Sequence, residues 1–376
     1  MMKKVCHLTS AHTRYDNRVL KRECVALSDN GYDVTLVVND DKPDETYRGV
    51  KIVSTGKSFL GNRLKRMLSG VKSVYNKGLE ADADIYHIHD PELLLIAMKL
   101  KERGRKVIFD SHEAYGVQIL SKDYLPKLIR GIISDVYFRY ETYISRRIDA
   151  IIAPCSVEES GIDRKYSFEN RCRRVGYVNT YPRKEELDFD KNRKGIVGRS
   201  VCYSGGITYS RGIEHLIRAA EIAKANLLIA GKFQSQTYGE KILNLIEGTD
   251  AEYRGFLDSR ELSELYNEST IGMCTLLPIG QYDKMGNLPS KAYEYMGMGL
   301  PMIISDFPYN RKFVKKYNVG LLVDPMSEKD IAEKMEYLFA NPDEAKEMGE
   351  NGRKVFLEKY NWDVAEKELL NIYKHL

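Results

Sequence analysis

Short apolar runs alternate with amphipathic stretches from the start of the chain. KKVCHLTS, YDVTLVVN, IYHIHD, KVIFDSHE, AIIAPCS and RVGYVNT are hydrophobic runs that end in small or polar residues, the pattern of strands buried on both faces. Between them, segments such as NRVLKRECVALSDNG carry apolar side chains near a helical period and stop at a glycine. Strand and helix in regular alternation predict a parallel, doubly wound α/β sheet. A second series, SVCYSGG, ANLLIAGK, AEYRGFL, TIGMCTLL, GLPMIISD and VGLLVDP, follows the polar stretch YPRKEELDFDKNRKGIVGRS. The pattern therefore predicts two Rossmann-like halves, residues 1–180 and 199–360, joined by a linker over 181–198. A last helix in 361–376, with Val364, Ala365, Leu369, Leu370 and Ile372 as its apolar positions, suits either half; its expected place is back on the first.

A length of 376 residues agrees with two domains, since a single core rarely grows so large. The formal net charge of +4, with 30% charged residues, leaves no footprint for nucleic acid. The opening MMKKVCHLTSAH lacks the apolar run of a secretory signal and no later stretch reaches a membrane span, so a cytoplasmic location is expected. Cys6, Cys24, Cys155, Cys172, Cys202 and Cys274 are scattered, without C-x-x-C or zinc spacing, and read as reduced thiols; no metal is expected.

Ligands of open α/β sheets sit beyond the carboxyl ends of the strands, which narrows the search. In YSGGITYSRGIEHLI, Gly205 and Gly206 follow a strand and Arg211 opens a helix, a turn that lets backbone and guanidinium approach a phosphate, or an ordinary βα turn. Glu294 lies about one turn after Pro289 and Ser290, where a carboxylate can hold a ribose diol or simply complement the helix dipole. KVIFDSHEAYG sets His112 after a strand between Asp110 and Glu113, and IYHIHDPELL does the same for His89 and Asp90, with Asp90 read as the cap of the next helix. AHTRYDNRVLKREC crowds His12, Arg14 and Asp16 around the first strand-to-helix turn; Lys21 and Glu23 there read as a solvated helix start. Asp82-Ala-Asp84 and Asp188-Phe-Asp190 read as surface acids. The segments KSFLGNRLKRMLSGVKSVYNKG and YLPKLIRGIISDVYFRYETYISRRIDA mix basic and apolar residues at helical spacing, which suits either core packing or an anionic membrane surface.

The stretch NLPSKAYEYMGMGLPMI resembles the P-x-K-x-x-E-Y-M-x-x-G-x-P-V-I signature of the family-4 retaining glycosyltransferases of the GT-B fold. The resemblance continues through YSGGITYSRGIEHLI, LLIAGKF, YRGFLDSRELSELY and VGLLVDP, and through HTRYDNRVLKRE, HIHDPELL and FDSHEAY in the first half. It implies two Rossmann-like parallel-sheet domains facing across a cleft, and transfer of a sugar with retention from a nucleotide-diphosphate donor, UDP favoured, without metal or cofactor. It implies Arg211 on the diphosphate, Glu294 on the ribose, His112 at the transferring sugar and backbone at Phe256 and Leu257 by the base. Gly205, Gly206, Lys232, Asn287, Leu288, Ser290 and Lys291 complete the implied donor site, and His12, Arg14, Asp16 and His89 the acceptor side. The expected acceptor is a glycan or, from the basic amphipathic segments, a lipid-linked glycan of cell-surface polysaccharide synthesis, with the protein cytoplasmic or peripheral on the inner face of the plasma membrane. Two positions depart from the family: Gly286 stands where many members carry a second glutamate, and Gly206 where many carry arginine. Ser290 and Lys291 are expected to make up the missing polar contacts. The rival readings are a nucleotide-sugar epimerase of the same fold and a non-catalytic glycan- or nucleotide-binding protein; a two-carboxylate glycosidase lacks an evident acid pair.

Overall fold

A computed structural model of the chain describes residues 2–59, 61, 65–112, 115–120, 125–155, 168–189, 198–280, 282–284 and 286–376. Glu113, Asp190 and part of the first basic segment (60 and 62–64) lie outside the described residues. The chain divides into two compact units: the first runs to Thr180 and takes back Ala365–Leu376, and the second holds Tyr181–Val364.

The first unit is built on an eight-stranded sheet. In chain order its strands are β1 (Lys4–Leu8), β2 (Asp33–Val38), β3 (Glu45–Tyr47), β4 (Val50–Ser54), β5 (Ile85–Ile88), β6 (Lys106–Asp110), β7 (Ala150–Ala153) and β8 (Val175–Tyr177). Across the sheet the order is β3-β4-β2-β1-β5-β6-β7-β8, parallel except for β3 against β4. That hairpin is absent from the apolar-run reading. It turns on Arg48 (φ 47°) and Gly49 (φ 81°), the left-handed pair that a two-residue hairpin requires. Leu8, Tyr86, Ile88, Val107, Phe109 and Ile151 pack beneath the flanking helices, each side chain adding about 1.5–3 kcal/mol relative to exposure. The closing helix Trp362–Lys374 buries Ala365, Leu369, Ile372 and Tyr373. It lies so close to β8 that a side chain at Gly176 would meet Ile372 Cδ1 at 2.1 Å.

The second unit carries six parallel strands in the order β11-β10-β9-β12-β13-β14. They are β9 (Ser200–Ser204), β10 (Asn226–Ala230), β11 (Ala251–Tyr253), β12 (Ile271–Cys274), β13 (Met302–Ser305) and β14 (Gly320–Val323). Helices cover both faces, one over Val201, Tyr203 and Leu227, the other over Cys202, Leu228 and Ile304. The strand order reverses on either side of β9, which makes the loops after β9, β10 and β12 the natural seat of a ligand.

Candidate functional site

In the second unit the turns after β9 and β10 stand back to back. Gly205 donates its N–H to Ala230 O (2.9 Å) and Gly231 to Gly255 O (2.7 Å), and a Cβ on Gly231 (φ 147°) would lie 1.7 Å from Gly205 O. Only glycine fits there. Tyr203 Oη donates to Gly206 O at 2.7 Å and holds the exposed turn in shape. Gly212 (φ 71°) then starts the helix Ile213–Ile222 against Thr275 O, and the preceding turn Tyr209–Arg211 sets the half-buried Arg211 guanidinium 4.9 Å from the ring centroid of Tyr282.

Beneath Gly205 lies Lys291, on the first turn of the helix Ser290–Gly297 and 7% exposed. Its Nζ has no hydrogen-bond partner among the described residues. It sits 3.3 Å from the ring centroid of Tyr203 and 3.4 Å from where a Cβ on Gly205 would be. Burial lowers the Lys291 ammonium to about 7, with the Arg211 charge pushing the same way and Cys274 and Glu294 opposing. One turn on, Glu294 accepts from Tyr266 Oη at 2.5 Å, and that hydroxyl also lies 2.8 Å from Ser204 Oγ. Burial first, and then the Glu294 charge, keep the Tyr266 phenol protonated, so it is a donor. The spacing of the motif reveals Glu294 but not the tyrosine that orients it.

Ser290 is exposed at the helix start and Asn287 is half-buried before it. Phe256 is 66% exposed and carries Lys232 Nζ at 4.2 Å from its centroid, with Leu257 half-buried beside it. Leu288 does not join this group: its side chain is in the core and its N–H goes to Tyr293 Oη (3.2 Å). The donor role read for Leu288 is thus reduced to shaping the loop.

In the first unit the loops after β1, β5 and β6 bring His12, Asp16, Asp90 and His112 together. His12 Nδ1 lies 3.2 Å from Asp16 and its Nε2 3.6 Å from Asp90, and its ring centroid is 4.5 Å from that of His112. Burial lowers His12, but the bond to Asp16 and the charges of Asp90 and Asp110 outweigh it and the imidazole is raised. Burial works against ionised Asp16, yet donation from His12 and from the N–H groups of Val19 and Arg18 holds it well below the usual range. His112 is held by Asp110, Nε2 to Oδ2 at 2.9 Å.

Four sequence readings need correction here. Arg14 is buried with all its N–H groups committed to Asp40, Glu45 and the carbonyls of Lys42 and Pro43, so none is left for an acceptor. His89 is 2% exposed and lies under His112, out of reach of an acceptor. Asp90 makes no side-chain bond to the helix that follows it; its carboxylate instead accepts from Thr9 Oγ1, Ser10 N and Ala11 N and ties the β1 loop to β5. Glu23 is fully buried rather than solvated, because backbone bonds such as Glu23 N to Arg18 O (3.0 Å) widen the first helical turns and bring residues five apart onto one face.

Comparison with known proteins bears on both units. The family model described as Glycosyltransferase Family 4 matches residues 17–176, and the one described as Glycosyl transferases group 1 matches residues 184–355. The chain belongs to the GT-B glycosyltransferases. An uncharacterised glycosyltransferase of Methanocaldococcus jannaschii is 28% identical over 181 residues, 47% of this chain and 45% of that protein. The alpha-D-kanosaminyltransferase of Streptomyces kanamyceticus is 24% identical over 280 residues, 69% of this chain and 70% of that one. The chain thus spans about half the length of the first of these relatives. Among solved structures, sucrose-phosphate synthase from Thermosynechococcus elongatus superposes with a TM-score of 0.78 at 15% identity, covering 100% of this chain and 99% of the other. HepE from Anabaena, solved with UDP and glucose, gives 0.70 at 11% identity over the whole of both chains. At such identities the likeness is one of fold, and this GT-B chain shares the architecture of both.

Proposed function

We propose that the chain is a retaining glycosyltransferase that moves a sugar from a UDP-sugar to a glycan or lipid-linked glycan in cell-surface polysaccharide synthesis. The observation that carries this reading is Lys291, a buried amine with no hydrogen-bond partner among the described residues, beneath the Gly205–Gly206 turn, over the Tyr203 ring and near Arg211. An uncompensated buried cation costs several kcal/mol, and a diphosphate seated on that turn would supply the missing negative charge. The helix start at Ser290 and the exposed Phe256 with Lys232 are suited to the rest of a nucleotide, and Glu294, aimed by Tyr266, to its ribose. HepE, a structure of the same fold, has been solved with UDP and with UDP-glucose.

In this reading the bond between the anomeric carbon and the β-phosphate oxygen breaks, and the acceptor oxygen bonds to the same face of the sugar. The acceptor's proton passes to the departing phosphate oxygen. Arg211 and Lys291 stabilise the charge that develops there, the work a metal does elsewhere, and His112 acts at the transferring sugar. Removing one such preorganised group costs roughly 10²–10³ in turnover. The test is transfer from a panel of UDP-, GDP- and ADP-sugars by the wild type and by Lys291→Ala. The expected outcome is UDP-dependent transfer with a loss on that scale in the variant. Undiminished transfer by Lys291→Ala, or conversion of a nucleotide sugar incubated alone into an isomer, would refute it.

A further inference from the structure

Below the loops of the first unit lies a buried set of polar groups that the proposed reaction does not use. His7 of β1 pairs in register with His87 of β5, and strand alternation places His89 on the same face as His87. Glu23 approaches from the widened helical turn and Tyr373 from the closing helix; all five side chains are buried. The contacts form a line: His87 Nδ1 to Tyr373 Oη 2.8 Å, Tyr373 Oη to His7 Nε2 3.4 Å, His7 Nδ1 to His89 Nε2 2.9 Å, His89 Nδ1 to Asp110 Oδ2 3.3 Å. Asp110 also receives Arg18 Nε and Nη2 at 2.8 and 2.7 Å, and His112 Nε2 at 2.9 Å.

Charge at one end fixes the direction of every bond. Arg18 is the cation beside two buried carboxylates, Asp110 and Glu23, so one of them carries the matching charge. Burial opposes ionisation of both, but Arg18 and the donors from His112 and His89 hold Asp110 well below the usual carboxylate range, whereas burial and the Asp110 charge raise Glu23 well above it. An ionised Asp110 only accepts. His89 therefore carries its proton on Nδ1 and leaves Nε2 to accept from His7 Nδ1–H; His7 in turn leaves Nε2 to accept from the Tyr373 hydroxyl. The Tyr373 oxygen accepts from His87 Nδ1–H, and the bare His87 Nε2 faces the protonated Glu23 carboxyl at 3.7 Å. Burial, the leading cause in each case, lowers His7, His87 and His89 and so keeps the three rings neutral, as this assignment needs.

We propose that Tyr373, His87, His7 and His89 form a one-way hydrogen-bond chain from the closing helix to Asp110, which makes Tyr373 and His7 positioning residues for His112. The chain ends at buried Glu23, so it sets tautomers and geometry rather than carrying protons to solvent. Its catalytic consequence rests on the glycosyltransferase reading, but its tautomers are properties of the free protein. His7, Glu23, His87 and His89 also place one ligand-capable atom each within 4.8 Å of one another, the alternative being a metal centre. The hydrogen-bond distance between His7 and His89 and the guanidinium 3.1 Å from Glu23 favour shared protons over a cation.

The experiment is ¹⁵N NMR of the imidazole nitrogens in ligand-free protein labelled at histidine, with metal analysis of the same sample. The expected result is Nδ1–H at His7, His87 and His89, Nε2–H at His112, and no stoichiometric transition metal. Tyr373→Phe removes the only hydroxyl in the line and is expected to shift the His7 and His89 signals and to slow transfer about tenfold, about 1.4 kcal/mol. Glu23→Gln keeps a neutral donor and is expected to preserve both the fold and the tautomers, which guards against misreading a misfolded Tyr373 variant. Nε2–H at His7 or His89 in the wild type, unchanged signals in Tyr373→Phe, loss of the tautomer pattern in Glu23→Gln, or one bound metal per chain would each overturn the proposal. Absence of sugar transfer alongside the expected tautomers would instead refute only the glycosyltransferase reading.

Discussion

Lys291 shows at the scale of a residue how the proposed function and stability oppose each other. Its ammonium falls from an ordinary 10.5 to about 7 in the folded protein, so below pH 7 the fold carries a buried charge that the unfolded chain would hydrate. Because the unfolded state binds this proton more tightly, the group's contribution to stability rises with pH between about 7 and 10.5. The penalty at low pH is on the order of 5 kcal/mol at about 1.4 kcal/mol per unit. Lys291→Met is therefore expected to unfold at a higher denaturant concentration than wild type below pH 7, with the gain shrinking as pH rises toward 10.5. An equal or lower midpoint at pH 6 would contradict this. Lys291 and Glu294 are legible in the sequence because a Pro-Ser-Lys-x-x-Glu helix start carries its own geometry. Glu23 and Tyr373 are not, since their importance comes from strands and helices distant in the chain.

At the scale of elements, a regular helical period finds the first helix but misplaces one of its faces. Arg18 and Glu23, five apart, meet the same face only because the opening turns are widened, and a 3.6-residue reading sends Glu23 to solvent. The hairpin β3–β4 escapes notice for a different reason: its strands are short and half exposed, and only Arg48-Gly49 marks the turn. The basic amphipathic stretches fare differently from each other. Val71, Val74 and Gly78 of the helix Val71–Glu80 face the core. The helix Lys127–Ser145 instead leaves Leu128, Ile132 and Val136 exposed at 93%, 65% and 62%, with Lys127, Arg139 and Arg146 also exposed. No described helix is long and apolar enough to cross a membrane; the lipid-linked acceptor of the proposed function predicts that this stripe binds the surface of one. Sedimentation with anionic vesicles at low salt is expected for the wild type and lost in Leu128→Glu/Ile132→Glu; equal sedimentation of both would count against the membrane reading.

At the scale of the whole molecule, the two runs of alternating strands and helices carry most of the architecture, and both sheets follow from them except for the hairpin β3–β4. The home of the closing helix does not, because an amphipathic pattern shows that a face is buried without saying against what. Gly176, cut back to let Ile372 approach, and Tyr373, reaching His7 and His87, are the local reasons it belongs to the first unit. The glycine turns after β9 and β10 are readable as phosphate-binding candidates, yet the buried cation beneath them emerges only when the helix start is packed against the sheet. Whether the Lys291 amine gains a proton against a bound diphosphate is measured by calorimetry of UDP binding at pH 8, repeated in two buffers of different ionisation enthalpy. A largely neutral Lys291 that becomes charged against the diphosphate predicts uptake of about one proton by the wild type, with weaker binding and no uptake in Lys291→Met. Equal affinity in the two proteins, with no proton uptake in either, would contradict it.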